Sequence, residues 1–110
     1  MKDRLILRFF IGTILLMNSI SAAGQVFKTV VLGSGGGIEE NNLTAYLLAP
    51  VKSNDFICLD AGTVYTGIEQ AVRAGNFYDV FVPAESEASK TGFIFRELIH
   101  GYLISHAHLD

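Results

Sequence analysis

The chain has 110 residues, enough for one small domain at most. Eight Lys and Arg stand against eleven Asp and Glu, a net charge of −3, which argues against a protein that holds a nucleic-acid polymer through its phosphates. A single cysteine, Cys58, excludes an internal disulfide.

The N-terminus has the three parts of an export signal. Lys2, Arg4 and Arg8 make a basic start, residues 9–17 (Phe-Phe-Ile-Gly-Thr-Ile-Leu-Leu-Met) an apolar centre, and Ser21-Ala22-Ala23 a small-residue cleavage site before Gly24. The apolar centre is too short to span a bilayer comfortably. Residues 1–23 are therefore expected to be a signal peptide, and residues 24–110 the exported part, periplasmic or secreted, with no stable membrane association after cleavage. With Lys2, Arg4, Arg8 and Asp3 set aside, five basic and ten acidic residues remain, a net of −5.

Residues 26–32 read as an apolar strand stopped by glycines, and residues 33–37 (Gly-Ser-Gly-Gly-Gly) as a turn or loop. Residues 42–48 read as a second strand, with Leu43, Ala45 and Leu47 on one face and Thr44, Tyr46 and Leu48 on the other. Residues 56–59 (Phe-Ile-Cys-Leu) make a third, ended by Asp60-Ala61-Gly62. Its apolar setting predicts Cys58 to be a buried, inert thiol. Thr66-Gly67-Ile68-Glu69 has the form of a capping box, Ile68, Ala71 and Val72 follow at helical spacing, and Gly75 suits a left-handed terminator. Residues 76–90 look irregular. Phe93, Ile94, Glu97 and Leu98 allow a short second helix, and residues 99–105 return to strand. Strands that mix with helices and are apolar on both faces argue for a layered α/β protein.

The glycine loop invites a nucleotide-phosphate reading, but it lacks the Lys-Ser/Thr of a P-loop. It also lacks the third glycine and the following helix of a dinucleotide fingerprint. A tight turn that lets backbone pass close to a site fits better. His100 alone reads as a satisfied polar residue. His106, His108 and Asp110 do not, because they alternate at the end of an apolar strand. Both imidazoles can leave one face and reach one ion, and Asp110 can offer oxygen to the same ion or a second. Imidazole with carboxylate suits zinc best, with iron or manganese as alternatives. A bound ion would lower the pKa of a water toward ~7, which is hydrolase chemistry.

Four blocks carry a resemblance. They are residues 30–37 (Val-Val-Leu-Gly-Ser-Gly-Gly-Gly), 40–48 (Glu-Asn-Asn-Leu-Thr-Ala-Tyr-Leu-Leu), 58–63 (Cys-Leu-Asp-Ala-Gly-Thr) and 101–110 (Gly-Tyr-Leu-Ile-Ser-His-Ala-His-Leu-Asp). Together they resemble the class II 3′,5′-cyclic-nucleotide phosphodiesterases of the metallo-β-lactamase-fold superfamily, a family with fungal low-affinity and exported bacterial members. The last block is similar to the superfamily motif His-x-His-x-Asp-His without its final histidine.

The resemblance implies an α/β fold, the N-terminal half of an αββα sandwich, with two zinc ions as cofactors in the complete enzyme. His106 and His108 would bind the first ion and Asp110 the second, placing Asp110 in the catalytic centre, while Asp60 would sit behind the metal loop and position it. The implied substrate is a small cyclic nucleotide such as cyclic AMP, opened to a 5′-nucleotide by metal-activated water. Tyr46, Asn42 and Thr44 lie near these loops. Two histidines and one carboxylate make an incomplete zinc site, since a catalytic zinc usually takes three protein ligands, so a fragment of this length is expected to be inactive or nearly so. It is also expected to leave apolar strand faces uncovered. The alternatives are another hydrolase of the same fold, such as a lactamase, a ribonuclease-like phosphodiesterase or a sulfatase, and a non-catalytic metal-binding remnant.

Overall fold

The computed structural model describes residues 2–6, 8, 24–38 and 40–107. The expected signal segment therefore lies largely outside the described residues, and His108 and Asp110 lie outside them entirely.

The described residues form a mixed α/β fold with a four-stranded sheet in chain order, β1 (Phe27–Gly33), β2 (Ala45–Pro50), β3 (Phe56–Leu59) and β4 (Ile99–Leu103). β1 and β2 pair antiparallel from Phe27↔Pro50 to Val31↔Tyr46. The register then shifts so that Gly33 meets Ala45, a bulge that turns the chain into the glycine loop. β2 and β3 pair antiparallel with Leu47 opposite Cys58. β4 lies parallel to β3, from Phe56↔Ile99 to Leu59↔Leu103, so the chain must cross over between them. The crossover holds α1 (Val64–Arg73) and α2 (Lys90–Phe93), which widens into a π-helical turn (Ile94–Leu98) and passes straight into β4.

Alternation decides which face each strand buries. Ala45, Leu47 and Ala49 of β2 and Phe56 and Cys58 of β3 point under the helices and are almost fully buried. Val64, Ile68 and Ala71 of α1 meet them at helical spacing. Phe77, Val80 and Ile94 complete the cluster from the crossover. Phe56 and Phe77 pack edge to face, centroids 5.9 Å apart, and the Lys28 ammonium lies 5.4 Å from the Phe56 ring centre. Among the described residues no polar side chain is buried, so the hydrophobic effect holds this layer together at ~1.5–3 kcal/mol per large side chain. On the opposite face Phe27, Val31, Ile57 and Leu103 remain exposed.

Several boundaries differ from the sequence reading: β1 runs over 27–33 rather than 26–32, β2 over 45–50 rather than 42–48, and β4 stops at Leu103 rather than at residue 105, so His106 follows the strand instead of continuing it. β2 begins at Ala45, three residues later than expected, because residues 42–44 bond to flanking loops before the sheet takes over. α1 begins at Val64, so Thr66 lies inside the helix and the expected capping box does not form. Thr63 is the N-cap, yet its hydroxyl accepts from the Leu43 amide (2.8 Å) and donates to the Glu40 carbonyl (3.3 Å). Glu69 instead pairs with Arg73 one turn on, at 3.0 Å. The helix ends as anticipated at Gly75, φ +84°, whose amide donates to the Val72 carbonyl. Among the described residues no helix is long and apolar enough to cross a membrane.

Candidate functional site

β1, β3 and β4 run in the same direction and release their loops at one edge of the sheet. That edge, the carboxyl end of parallel strands, is where α/β sheets place ligands. It holds a cavity of about 460 Å³, lined by residues 35–37, Leu43, Thr44, residues 60–62, Ile104, His106 and Ala107. The volume falls within the ~300–1,000 Å³ of small-molecule sites.

The floor of the cavity is main chain, drawn together because side chains are missing where they would intrude. The Leu43 peptide lies between Gly33 and Gly62. A Cβ on Gly62 would stand 2.6 Å from the Leu43 carbonyl carbon, and one on Gly33 would meet the Leu43 carbonyl oxygen. Backbone bonds fasten the sandwich: Gly35 N to Asn42 O (2.6 Å), Thr44 N to Gly35 O (3.0 Å), Gly62 N to Thr44 O (3.1 Å) and Thr63 N to Leu43 O (3.2 Å). The close approach is made by Gly33, where β1 enters the glycine loop, and by Gly62, whereas a Cβ on Gly36 or Gly37 would meet nothing within 4 Å. β2 rather than a helix follows the loop. Thr44 lines the cavity with its hydroxyl donated to the Gly35 carbonyl (2.8 Å). The Asn42 carboxamide oxygen accepts from the Ser34 amide (3.1 Å). Tyr46, one step into β2, lies outside the lining.

Asp60 closes β3 at φ +60°, a left-handed conformation that a non-glycine residue holds at on the order of 1 kcal/mol. Its amide donates to the Leu103 carbonyl (2.8 Å), placing the carboxylate over the end of β4. There it takes both donors of one residue. Ser105 N donates to Oδ1 at 2.7 Å and Ser105 Oγ–H to Oδ2 at 2.9 Å. Ser105 Oγ lies 2.8 Å from Nδ1 of His106, which reaches the cavity wall. Asp60, Ser105 and His106 thereby form one hydrogen-bonded chain. Sequence reasoning singled out its two ends and missed Ser105, whose only signal was a hydroxyl directly before the histidine run.

Of the expected site residues, Asp60 and His106 come together here, while His108 and Asp110 lie outside the described residues. Among the described residues no three His, Cys, Asp or Glu side chains are grouped closely enough to hold a metal ion. His100 stands apart from the cavity, its Nε2 3.0 Å from Oδ1 of Asp55. Ser53 Oγ–H donates to the other Asp55 oxygen at 3.0 Å, and these two bonds, the serine's first, hold that carboxyl below its ordinary pKa. Burial, with a smaller contribution from the Asp60 charge, pushes the Cys58 thiol up to about 11. Its S–H donates to the Asp60 carbonyl (3.1 Å) beneath the site, the inert role its apolar setting predicted.

Comparison with known proteins yields relatives of one kind. The chain is 43% identical over 109 residues to a 3′,5′-cyclic-nucleotide phosphodiesterase of Aliivibrio fischeri, an alignment covering 99% of this chain and 32% of that protein. It is 40% identical over 95 residues to a "Probable 3′,5′-cyclic-nucleotide phosphodiesterase" of Yersinia pestis, covering 86% of this chain and 27% of the relative. It is 36% identical over 89 residues to the cAMP/cGMP-dependent 3′,5′-cAMP/cGMP phosphodiesterase A of Dictyostelium discoideum, covering 76% and 20%. The chain thus spans about a third or less of the length of the curated relatives it matches. No protein-family profile matches the chain. No solved structure gives a significant match.

Proposed function

We propose that this chain is part of a zinc-dependent hydrolase that opens 3′,5′-cyclic nucleotides to 5′-nucleotides. The observation that carries the reading is that 99% of the chain aligns at 43% identity with a relative named for that activity, and that His106 and Asp60 converge on one cavity. The fold would be the metallo-β-lactamase-like αββα sandwich, of which the sheet and its helical layer would make one half. The exposed apolar row of Phe27, Val31, Ile57 and Leu103 is the kind of surface a second sheet covers. The basic, apolar and small-residue segments within residues 1–23 support export.

Imidazole and carboxylate are donor types that zinc takes, and His106 supplies the imidazole at the cavity wall. That cavity is floored by uncharged main chain, and a carboxylate braces the segment that carries the imidazole. His106, His108 and Asp110 would hold the metal. Zinc bound there supplies Lewis acidity toward phosphoryl oxygens and a water that ionises near neutral pH. The chain's own residues do the rest. Asp60 holds Ser105, and with it the adjoining His106, at the end of β3, so that this imidazole would be in place before substrate arrives. The glycine floor lets the compact cyclic phosphate approach backbone without meeting a side chain. Among the described residues that line the cavity there is no Lys or Arg, so neutralising the phosphate would fall to the metal.

The test is a chimera in which residues 24–110 replace the matching third of the Aliivibrio fischeri relative. The reading expects hydrolysis of 3′,5′-cyclic AMP to 5′-AMP, abolished by a chelator, restored by zinc and lost in His106→Ala. A folded chimera that binds zinc and leaves cyclic nucleotides intact would overturn it.

A further inference from the structure

We infer that Ser105 is a positioning residue that fixes the tautomer of His106 and so decides which ring nitrogen carries the lone pair. This deepens the reading above and rests on it for the role of His106 as a metal ligand, while the tautomer is argued from the contacts of Ser105 with Asp60 and His106.

The argument is a count of protons. Both oxygens of Asp60 accept from Ser105, one from the backbone amide at 2.7 Å and one from the hydroxyl at 2.9 Å. A carboxylate has no proton to return. The single hydroxyl proton of Ser105 is therefore committed to Oδ2, and the oxygen presents a lone pair to its other neighbour, Nδ1 of His106 at 2.8 Å. A contact that short between two lone pairs would be repulsive, so Nδ1 must bring the proton. In a neutral imidazole only one nitrogen is protonated. Nδ1–H leaves the lone pair on Nε2, the form in which a histidine coordinates metal through Nε2. The polarity of the chain is set at its far end, where Asp60 is held in a left-handed conformation with its amide on the Leu103 carbonyl.

A hydroxyl can donate or accept, so Ser105 selects the tautomer only because its proton is engaged by Asp60. The serine carries the acceptor character of Asp60 one atom further and leaves a neutral group in contact with the imidazole. It also ties the tautomer to the fold, because the same residue pairs its amide with Oδ1. Alanine at 105 would keep the amide bond and lose the relay. Threonine would keep both.

Histidine-labelled full chain, free of metal at pH 8, is read by long-range proton–nitrogen correlation. His106 is expected to show a protonated Nδ1 and an unprotonated Nε2 in the wild type and in Ser105→Thr. In Ser105→Ala the pattern is expected to relax toward protonated Nε2, and zinc affinity by chelator competition to fall ~10–100-fold, with threonine restoring it. A wild-type ring protonated at Nε2, or an alanine variant that keeps the wild-type pattern, overturns the inference. The wild-type spectrum alone decides the tautomer if the alanine variant does not fold. Wild-type protein that shows the expected tautomer and binds no zinc would uphold the role of Ser105 and sink the metal reading instead.

Discussion

Gly67→Ala sets two effects of known size against each other. Gly67 lies inside α1, where alanine is favoured over glycine by ~0.8–1.0 kcal/mol, so propensity alone predicts a more stable protein. The structure predicts the reverse. A Cβ at 67 would stand 2.5 Å from Cβ and 2.8 Å from the carbonyl carbon of Leu32 and would press on its carbonyl oxygen. Carbon atoms settle at ~3.5–4.0 Å, so the helix must retreat by about 1 Å. Two of the three opposing atoms are strand backbone, which no rotamer change can move. The retreat would also lift Ile68, Ala71 and Val64 from the sheet and loosen the contacts that bury them. Overpacking of this kind costs ~1–3 kcal/mol, and backbone contact on both sides places it at the upper end. Setting ~3 kcal/mol against ~1 kcal/mol leaves a net loss of about 2 kcal/mol. For a domain of this size that lowers Tm by roughly 8–16 °C. Urea and thermal unfolding followed by circular dichroism measure it, with exposed Gln70→Ala on the same helix as the control, expected within about 0.5 kcal/mol of wild type. A Gly67→Ala protein as stable as wild type, or more so, would show that the helix does not rest on β1 as described.

The remaining predictions concern single groups. With its pKa at about 11, Cys58 has ~100-fold less thiolate at pH 8 than an ordinary thiol, so Ellman's reagent should label it slowly in native protein and at once in guanidinium; fast native labelling would contradict its burial. Because that pKa is raised on folding, the neutral thiol's contribution to stability holds below pH ~9 and is lost as pH climbs toward 11, which pH-dependent unfolding should reveal as a fall absent from Cys58→Ala. Asp55 has the opposite sign. Its lowered pKa gives a stabilisation present at neutral pH that disappears only as pH drops below ~4, and a carboxyl NMR titration should move up more in Ser53→Ala than in His100→Gln. Thr63→Val removes the acceptor of the Leu43 amide and should cost ~1–2 kcal/mol with faster hydrogen exchange at Leu43, whereas Thr63→Ser should leave both near wild type.

β3 was legible to the residue because a short apolar run there is bounded by Asp55 and by Asp60-Ala61-Gly62. The face assignments of Ala45, Leu47, Tyr46 and Leu48 were legible too, since period-two alternation survives any uncertainty about strand ends. Local pattern failed where tertiary partners intervene. Residues 42–44 look like strand, yet their hydrogen bonds go to the glycine loop and to residues 62–63. Thr66 and Glu69 have capping-box spacing, but the turn before them is fixed by Thr63, whose hydroxyl is engaged with Leu43 and Glu40. The π-helical turn had no signal, because its extra residue brings the chain into β4 in register, a demand of the sheet rather than of residues 94–98. Nor does sequence place Phe77 and Val80, two apolar residues in an irregular stretch, under the sheet. At the site, Asp60 and His106 were legible as motif residues, but Ser105 emerged only when β4 brought it across 45 residues of chain to Asp60.

That separation has a consequence for how the molecule comes into being. β1, β2 and β3 form a meander whose connections, residues 34–44 and 51–55, are far shorter than the crossover to β4, and they leave the ribosome first. β4 must close a loop of some forty residues before it pairs, a slower step than hairpin formation. A nascent chain can therefore own most of its sheet, with Asp60 already at the end of β3, while Ser105 and His106 are still unanchored. Only the docking of the last strand draws the serine onto the carboxylate and the imidazole onto the cavity wall. Competence of the site thus follows completion of the fold, and a chain caught before that step would offer a metal ion a loose histidine rather than an oriented one.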